Sequence, residues 1–224
     1  MIMLQLYWDT GKFQMHIKSN VYGNGVLGNC YICLPNRISM AVRVKIDFDK
    51  VYEIEEISPG FNLSSFNTQL ESGGEMSLKV RISNQAHALL PNVYNLSFGP
   101  LNKQGKIDDR AELVHNDYSK VFSTILLSAY AYLQQNPTHY LGIDGSDNTR
   151  AYFYYRALQR NFAYLDRHFN MFGIKYFVRI TRFGKTQYDN PFDFQDIMPY
   201  PYKIGARHEI SQDSMYNYFI FTLK

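Results

Sequence analysis

The sequence predicts an α+β protein, in which an N-terminal mostly-β segment precedes a two-helix, mixed-sheet domain. Three observations predict this class. Short runs rich in β-branched and aromatic residues, separated by turn clusters, fill residues 1–57. Two stretches with helical periodicity, residues 117–135 and 148–169, enclose a short apolar run at 139–143. Strand signals return after the second helix, so strands are expected on both sides of the helical pair.

The N-terminal part contains one clear strand pattern. In residues 40–48, apolar side chains alternate with Arg43, Lys45 and Asp47, as in a half-buried strand with one wet face. Residues 58–75 are polar, and the glycine-containing run 71–75 is typical of a linker. We therefore predict an N-terminal segment of residues 1–75 and an α+β domain of residues 76–224.

The α+β domain is expected to alternate strands and helices. Asn116 or Asp117 can cap the first helix, and Pro137 follows its end. The second helix is expected to continue to Phe169, with Gly173 as a stop signal. Three prolines make residues 184–207 an expected loop. Further strands are predicted at 78–82, 92–99, 139–143, 174–183 and 216–223.

Composition limits the class of protein. The 224 residues include 16% aromatic residues and carry a formal net charge of +3, which by itself does not imply nucleic acid. Only two cysteines are present, so a disulfide scaffold is excluded. No segment has the length and apolarity of a membrane span. We expect a cytoplasmic protein without a membrane partner, and no motif indicates a cofactor or a metal ion.

The second predicted helix has a core face and a basic face. Ala151, Tyr155 and Leu158 fall within one arc, and arginines lie on the opposite side. Residues 145–185 contain eight Lys or Arg and two Asp, which concentrates positive charge in a nearly neutral chain. We predict a surface that binds nucleic acid or an acidic protein; the alternative is a solvated helix face. The predicted contact residues are Arg156, Arg160, Arg167, Arg179, Arg182, Tyr152 and Tyr164.

The loop between the predicted strand at 139–143 and the second predicted helix is a weaker candidate site. Gly145, Ser146, Thr149 and Arg150 could bind a phosphate at the start of the helix. Helix capping explains the same polar residues and is the favoured interpretation. The sequence matches neither a P-loop nor a dinucleotide fingerprint.

Two other classes of function remain as alternatives. A nucleotide- or nucleic-acid-processing enzyme would place its site between Asp144 and Arg150. A metal-dependent nuclease would draw its ligands from Asp108, Asp109, Glu112, Asp117, Asp144 and Asp147, although a turn or a helix cap explains several of them. The second alternative class, besides an enzyme, is a structural protein that forms homo-oligomers through its aromatic surface.

Residues 90–185 resemble an uncharacterised family of small bacterial proteins. The shared features are a strand resembling YNLAFG and a glycine-serine helix start followed by arginine. This chain has Phe153 where a second arginine is expected. The resemblance implies the common architecture, a bacterial origin and an association with defence or toxin–antitoxin settings. The residues that carry it are 91–99, 107–109, 117–121, Gly145, Ser146, Thr149, Arg150, Tyr154, Tyr155 and Arg156.

Overall fold

The structure is a computed structural model that describes residues 43–108, 111, 113–145, 148–180, 192–207 and 209–224, and the backbone of residues 4–9 and 12–17. The strands are β1 (Leu4–Asp9), β2 (Lys12–Ile17), β3 (Glu56–Ile57), β4 (Leu63–Gln69), β5 (Glu75–Ala86), β6 (Val93–Gly99), β7 (Tyr140–Asp144), β8 (Phe169–Ile180), β9 (Phe192–Lys203) and β10 (Tyr218–Leu223). The helices are α1 (Tyr118–Gln135), α2 (Asn148–Arg160) and α3 (Phe162–Leu165), with a 3-10 turn at Gln212–Ser214.

Strands β3 to β10 form one eight-stranded sheet in the order β3-β4-β5-β6-β7-β10-β8-β9, and β1 and β2 form a separate two-stranded hairpin. The pair β6–β7 is parallel and the other neighbours are antiparallel. A parallel pair needs a long crossover, which here contains α1. The sheet is therefore mixed, and the predicted α+β class is confirmed.

The run 71–75, which the sequence suggests as a linker, connects β4 to β5. These strands pair from Leu63↔Arg81 to Gln69↔Glu75. Gly73 and Gly74 take positive φ values of 85° and 88° in the connection, a conformation that glycine adopts without steric cost. Both sides of residue 75 thus contribute strands to the same sheet.

The sheet separates two apolar clusters, which we call the helix side and the far side. Along β10, Phe219 and Phe221 belong to the cluster that includes α1 and α2, while Tyr218 and Ile220 belong to the opposite one. This alternation follows from the two-residue period of a strand. The apolar run in β10 is fully buried because both faces of the sheet are covered at this point.

Helix α1 follows its sequence signals closely. The Asp117 side chain accepts a hydrogen bond from the Lys120 N–H at 2.9 Å and caps the helix. The helix ends at Gln135, with Asn136 as the C-cap. Val121, Ile125 and Leu133 on its apolar stripe are buried against the sheet. No helix in the described part of the chain is long and apolar enough to cross a membrane.

The second helix is shorter than predicted. Helix α2 ends at Arg160, the short α3 follows, and Phe169 already begins β8. The break lies at Asn161, whose side-chain Nδ2 donates to the Ala157 carbonyl and also to the Val44 carbonyl. At the point where α2 ends, the Asn161 side chain therefore forms hydrogen bonds with a segment that is distant in sequence. The buried Leu165 and Phe169 retain the apolar pattern that suggested one continuous helix.

Two other predictions are wrong in detail. Residues 43–47 are extended and show the predicted alternation of exposure, but they do not join the sheet. Residues 192–203 form β9, whereas the sequence suggests a loop there. Pro199 and Pro201 are tolerated because β9 is an edge strand and needs hydrogen bonds on one side only.

Candidate functional site

The predicted basic stripe is divided by the end of α2. Arg156 and Arg160 lie on α2, and the Arg156 Nη1 donates to Gln159 Oε1 at 2.9 Å. Arg167 lies beyond α3, where it is exposed like Arg160. Two of the three arginines thus lie on α2 and the third in the turn after α3, instead of all three on one helix face.

The two tyrosines of the predicted surface are partly used by the fold. The Tyr164 hydroxyl accepts a hydrogen bond from the Phe48 N–H at 2.8 Å. Tyr152 is half-buried and packs against the helix-side core. Neither ring is fully displayed to solvent.

Arg179 lies on β8, away from α2 in the sequence. Its Nη1 lies 3.2 Å from Asp196 Oδ2 on the neighbouring β9, and 65% of its side chain is exposed. A pair as exposed as this contributes little to stability and leaves most of the guanidinium in water. Arg182 lies outside the described residues.

Strands β8 and β9 carry an exposed aromatic surface that sequence reasoning missed. Phe177 is 47% exposed, Met198 57% and Tyr200 56%. Phe177 pairs with Met198, Lys175 with Tyr200 and Gly173 with Tyr202, which places these side chains on one side of the sheet. The Phe177 and Tyr200 rings meet edge to face at 6.4 Å. We call Phe177, Met198, Tyr200 and Tyr202 the β8–β9 aromatic surface.

Lys175 lies at the inner end of the β8–β9 aromatic surface. Its Nζ is 5.6 Å from the centroid of the Tyr202 ring and 5.8 Å from that of Tyr216. Burial lowers the pKa of Lys175. No described carboxylate forms a salt bridge with it. Among the described residues, the ammonium group therefore has aromatic rings as its neighbours, a weak arrangement that an anion could improve.

Tyr216 closes the inner end of this site. Its hydroxyl is buried and finds no hydrogen-bond partner among the described residues. Burial, followed by the nearby Tyr155 and Tyr202 hydroxyls, raises the pKa of Tyr216 to about 12. The phenol therefore stays protonated at neutral pH and can act as a donor. Gly173 permits this packing, because a Cβ there would collide with ring carbons of Tyr216.

The loop after β7 is engaged in packing. The Gly145 N–H donates to the Asn217 carbonyl at 3.3 Å. A Cβ at Gly145 would lie 2.6 Å from the Ala151 Cβ, so glycine lets α2 begin close to the end of β7. Thr149 Oγ1 accepts a hydrogen bond from Gln212 Nε2 at 3.2 Å. Arg150 is half-buried, and Ser146 lies outside the described residues.

Asp144 ends β7, as expected, and lies opposite Tyr218 of β10. On the far side of the sheet the Tyr218 hydroxyl donates to Asn95 Oδ1 at 3.0 Å. Burial raises the pKa values of Tyr218 and Tyr176, and the Asp144 charge adds to both effects. Asp144 therefore faces buried phenols.

The acidic residues do not converge in the described part of the chain. No group of three or more His, Cys, Asp or Glu side chains placed to hold a metal ion occurs among those residues. Asp117 caps α1. Asp109, Glu112 and Asp147 lie outside the described residues.

A small apolar cavity lies between the helices and the sheet. Its volume is about 30 Å³, and Phe122, Ile143, Leu158 and Phe219 are among the lining residues. This is roughly the volume of one water molecule, but the wall offers that molecule no polar partner. The cavity is a packing gap.

The sequence profile of a family of unknown function, DUF6934, matches residues 50–194, more than half of the chain. The chain belongs to the DUF6934 family. No curated protein and no solved structure matches it.

The DUF6934 match contains only part of the candidate site. Arg156, Arg160 and Lys175 lie within the match, as do all residues of α2 and β8. Tyr200, Tyr202 and Tyr216 follow it. The region of family resemblance at residues 90–185 falls inside the match, in agreement with an uncharacterised family.

Proposed function

We propose that this DUF6934 protein is a non-catalytic binding module for single-stranded nucleic acid. The observation that carries the proposal is the β8–β9 aromatic surface, which has exposed rings and, at its inner end, a lysine that has no described acidic partner. Unpaired bases can stack on such rings, and cations beside them can contact the phosphates. A cytoplasmic location is part of the proposal.

The geometry favours a single strand over a duplex. Phe177 and Tyr200 lie on paired strands, so their rings are presented side by side on a sheet. Bases in a duplex are stacked on one another and do not offer free faces to side chains, whereas bases of a single strand do. Lys175, at the inner end of the surface beside Tyr202, adds a positive charge that would pair with a phosphate.

Arginines outside the aromatic surface would extend the electrostatic contact. Arg156, Arg160 and Arg167 carry positive charge on or next to α2, and Arg179 lies at the outer part of β8. Their contribution is expected to depend on salt, because phosphate binding releases counterions. The same arginines would contact an acidic protein surface, but the binding of such a surface would not require exposed aromatic rings.

Self-association is the second candidate, and a specific observation favours it. Met198 adds exposed apolar area beside the rings of Phe177 and Tyr200, and exposed apolar patches often mark contacts between proteins. A dimer formed through this patch would hide Phe177 and Tyr200. Nucleic acid binding and self-association would then compete.

The proposal is tested by fluorescence anisotropy with labelled single-stranded DNA and RNA oligonucleotides. The Phe177→Ala/Tyr200→Ala variant is expected to lose at least about tenfold in affinity, since stacking contributes roughly 1–3 kcal/mol per base. Tyr140→Ala is the matched control, because Tyr140 is exposed on β7 and lies outside the aromatic surface. Equal oligonucleotide affinities of the double variant and of Tyr140→Ala would refute the assignment of the β8–β9 aromatic surface as the binding site.

Light scattering across a dilution series separates the second candidate from the first. A dimer that dissociates in Phe177→Ala/Tyr200→Ala, with no oligonucleotide binding by the wild type, would identify the patch as a self-association surface. A monomer that binds the oligonucleotide supports the proposed function.

A further inference from the structure

Residues 43–48 lie between helices, and the helices hold their backbone through side chains. The N–H groups of Lys45 and Asp47 donate to Ser119 Oγ and Ser123 Oγ of α1, each at 2.9 Å. The N–H groups of Ile46 and Phe48 donate to Asn161 Oδ1 and Tyr164 Oη on the opposite side, each at 2.8 Å. Successive N–H groups of an extended chain point in opposite directions, so both edges of the segment are bound.

Two carbonyl groups of the segment are bound by the same side chains. The Val44 carbonyl accepts from Asn161 Nδ2 at 2.9 Å, and the Arg43 carbonyl accepts from Ser119 Oγ at 3.4 Å. Further along, the Tyr52 N–H donates to Thr124 Oγ1 at 2.8 Å. These hydrogen bonds are made with main-chain groups of the segment. Any peptide in an extended conformation presents the same groups.

Side chains of the segment fill sites along the groove. Val44 and Ile46 are buried in the helix-side core. The Phe48 ring lies among aromatic rings, with centroid distances of 5.0 Å to His168, 5.5 Å to Tyr164 and 6.0 Å to Tyr130. The groove therefore selects apolar residues at alternate positions, ending with an aromatic residue.

The groove and its occupant differ in their relation to the family. Ser119, Ser123, Asn161 and Tyr164 lie inside the DUF6934 match, whereas residues 43–48 lie before its start at residue 50. The segment ends in a turn in which the Lys50 N–H donates to the Asp47 carbonyl at 3.0 Å. The groove thus lies within the family region, and the segment that fills it directly precedes that region.

We propose that the groove between α1 and α2–α3 is a recognition site for an extended peptide of a partner protein. The peptide carries apolar residues at the positions of Val44 and Ile46 and an aromatic residue at that of Phe48. Residues 43–48 occupy the site in cis and are replaceable by such a peptide. This proposal uses none of the β8–β9 aromatic surface, so it is independent of nucleic acid binding.

The test begins with the full chain carrying a protease site inserted in the turn at residues 48–50. The protein folds before it is cut, and cleavage then frees the segment from its covalent tether. A fluorescent peptide of residues 40–49 is added in excess and followed by anisotropy, with circular dichroism as the check on folding. The cleaved protein is expected to bind the peptide, while the uncut protein excludes it because the tethered segment has a high effective concentration.

Two controls define specificity. The same peptide with Ile46→Asp is expected to bind at least about tenfold more weakly, because burial of an isoleucine side chain is lost. Cleaved protein that carries Asn161→Ala is expected to bind the unaltered peptide more weakly too. If insertion prevents folding, the uncut Ile46→Ser variant replaces it and is expected to bind the unaltered peptide at least about tenfold more tightly than wild type.

Three results would overturn the proposal. The cleaved protein could keep residues 1–48 without exchange against excess peptide, which would make the segment a fixed part of the core. It could lose its fold on cleavage. It could exchange segments between copies while excluding the free peptide.

Discussion

At the scale of residues, Asn161 connects the end of α2 to the extended segment. It accepts from the Ile46 N–H and donates to the Val44 carbonyl, both in buried surroundings. Asn161→Ala leaves two buried backbone groups without partners and is expected to lower the free energy of unfolding by about 2–4 kcal/mol. Urea denaturation measures this. The exposed Asn84→Ala is the control, and equal midpoints for the two variants would contradict the assigned role.

The half-buried His87 and the buried His115 make stability depend on pH. Burial lowers the pKa values of His87 and His115, and His115 Nδ1 lies 3.2 Å from Thr68 Oγ1. Since the unfolded chain then binds more protons than the folded protein, stability is full above pH 6.5, the ordinary pKa, and falls as the pH drops below it.

The melting temperature is therefore expected to fall between about pH 7.5 and about pH 5.5. The His87→Gln/His115→Gln variant should show a smaller fall, because glutamine does not titrate. Glu56, whose pKa is lowered mainly by Lys79, acts in the acid range below this window. An unchanged pH dependence in the double variant would assign the effect to other groups.

At the scale of elements, Gly173 lets Tyr216 pack on β8 beside Lys175. An added Cβ would overlap ring carbons of Tyr216, so Gly173→Ala must displace that ring. The expected cost is about 1–3 kcal/mol, as for other overpacked cores. Gly205→Ala is the control, because a Cβ at Gly205 has nothing within 4 Å. Thermal denaturation should separate the two variants; equal stability would show that the ring adjusts without cost.

Elements with local signals were predictable from the sequence. Helix α1 has a capping aspartate, an apolar stripe and a following proline, all within the stretch that forms it. Strand β7 is a short apolar run between two helical patterns. By contrast, the helix break at Asn161 depends on contacts with residues 44–46, which lie more than 100 positions away in sequence. The local sequence around Asn161 contains no pattern that indicates these contacts.

The candidate site was predictable only in part for the same reason. Arg156 and Arg160 follow from helical periodicity in a local stretch. The β8–β9 aromatic surface depends on the pairing of Lys175 with Tyr200 across two strands, and the second strand was hidden by Pro199 and Pro201. Helical periodicity also assigned Tyr155 to the core, correctly, but gave no sign of its neighbour Tyr216.

At the scale of the whole molecule, one sheet supports two separate surfaces. The groove on the helix layer holds residues 43–48, and the exposed rings lie at the β9 edge of the sheet. Among the described residues, the side chains that bind the segment are different from those of the β8–β9 aromatic surface. We expect each to be disabled by its own substitutions, so Asn161→Ala should leave oligonucleotide affinity unchanged wherever the protein remains folded. Anisotropy below the urea transition checks this, and a parallel loss of affinity would show that the surfaces are coupled.

The most direct test of the proposed function is the salt dependence of oligonucleotide affinity. For a single strand, the logarithm of the binding constant falls with the logarithm of salt concentration by about 0.7 per phosphate contacted. Contacts from Lys175 and from two of the arginines predict a slope of about −2 between about 50 and 200 mM salt. Arg156→Glu/Arg160→Glu should flatten this slope, and Arg81→Glu, an exposed arginine on β5, should leave it unchanged. A slope near zero would contradict single-stranded nucleic acid binding, and a slope that both variants share with the wild type would contradict the contribution of the two α2 arginines.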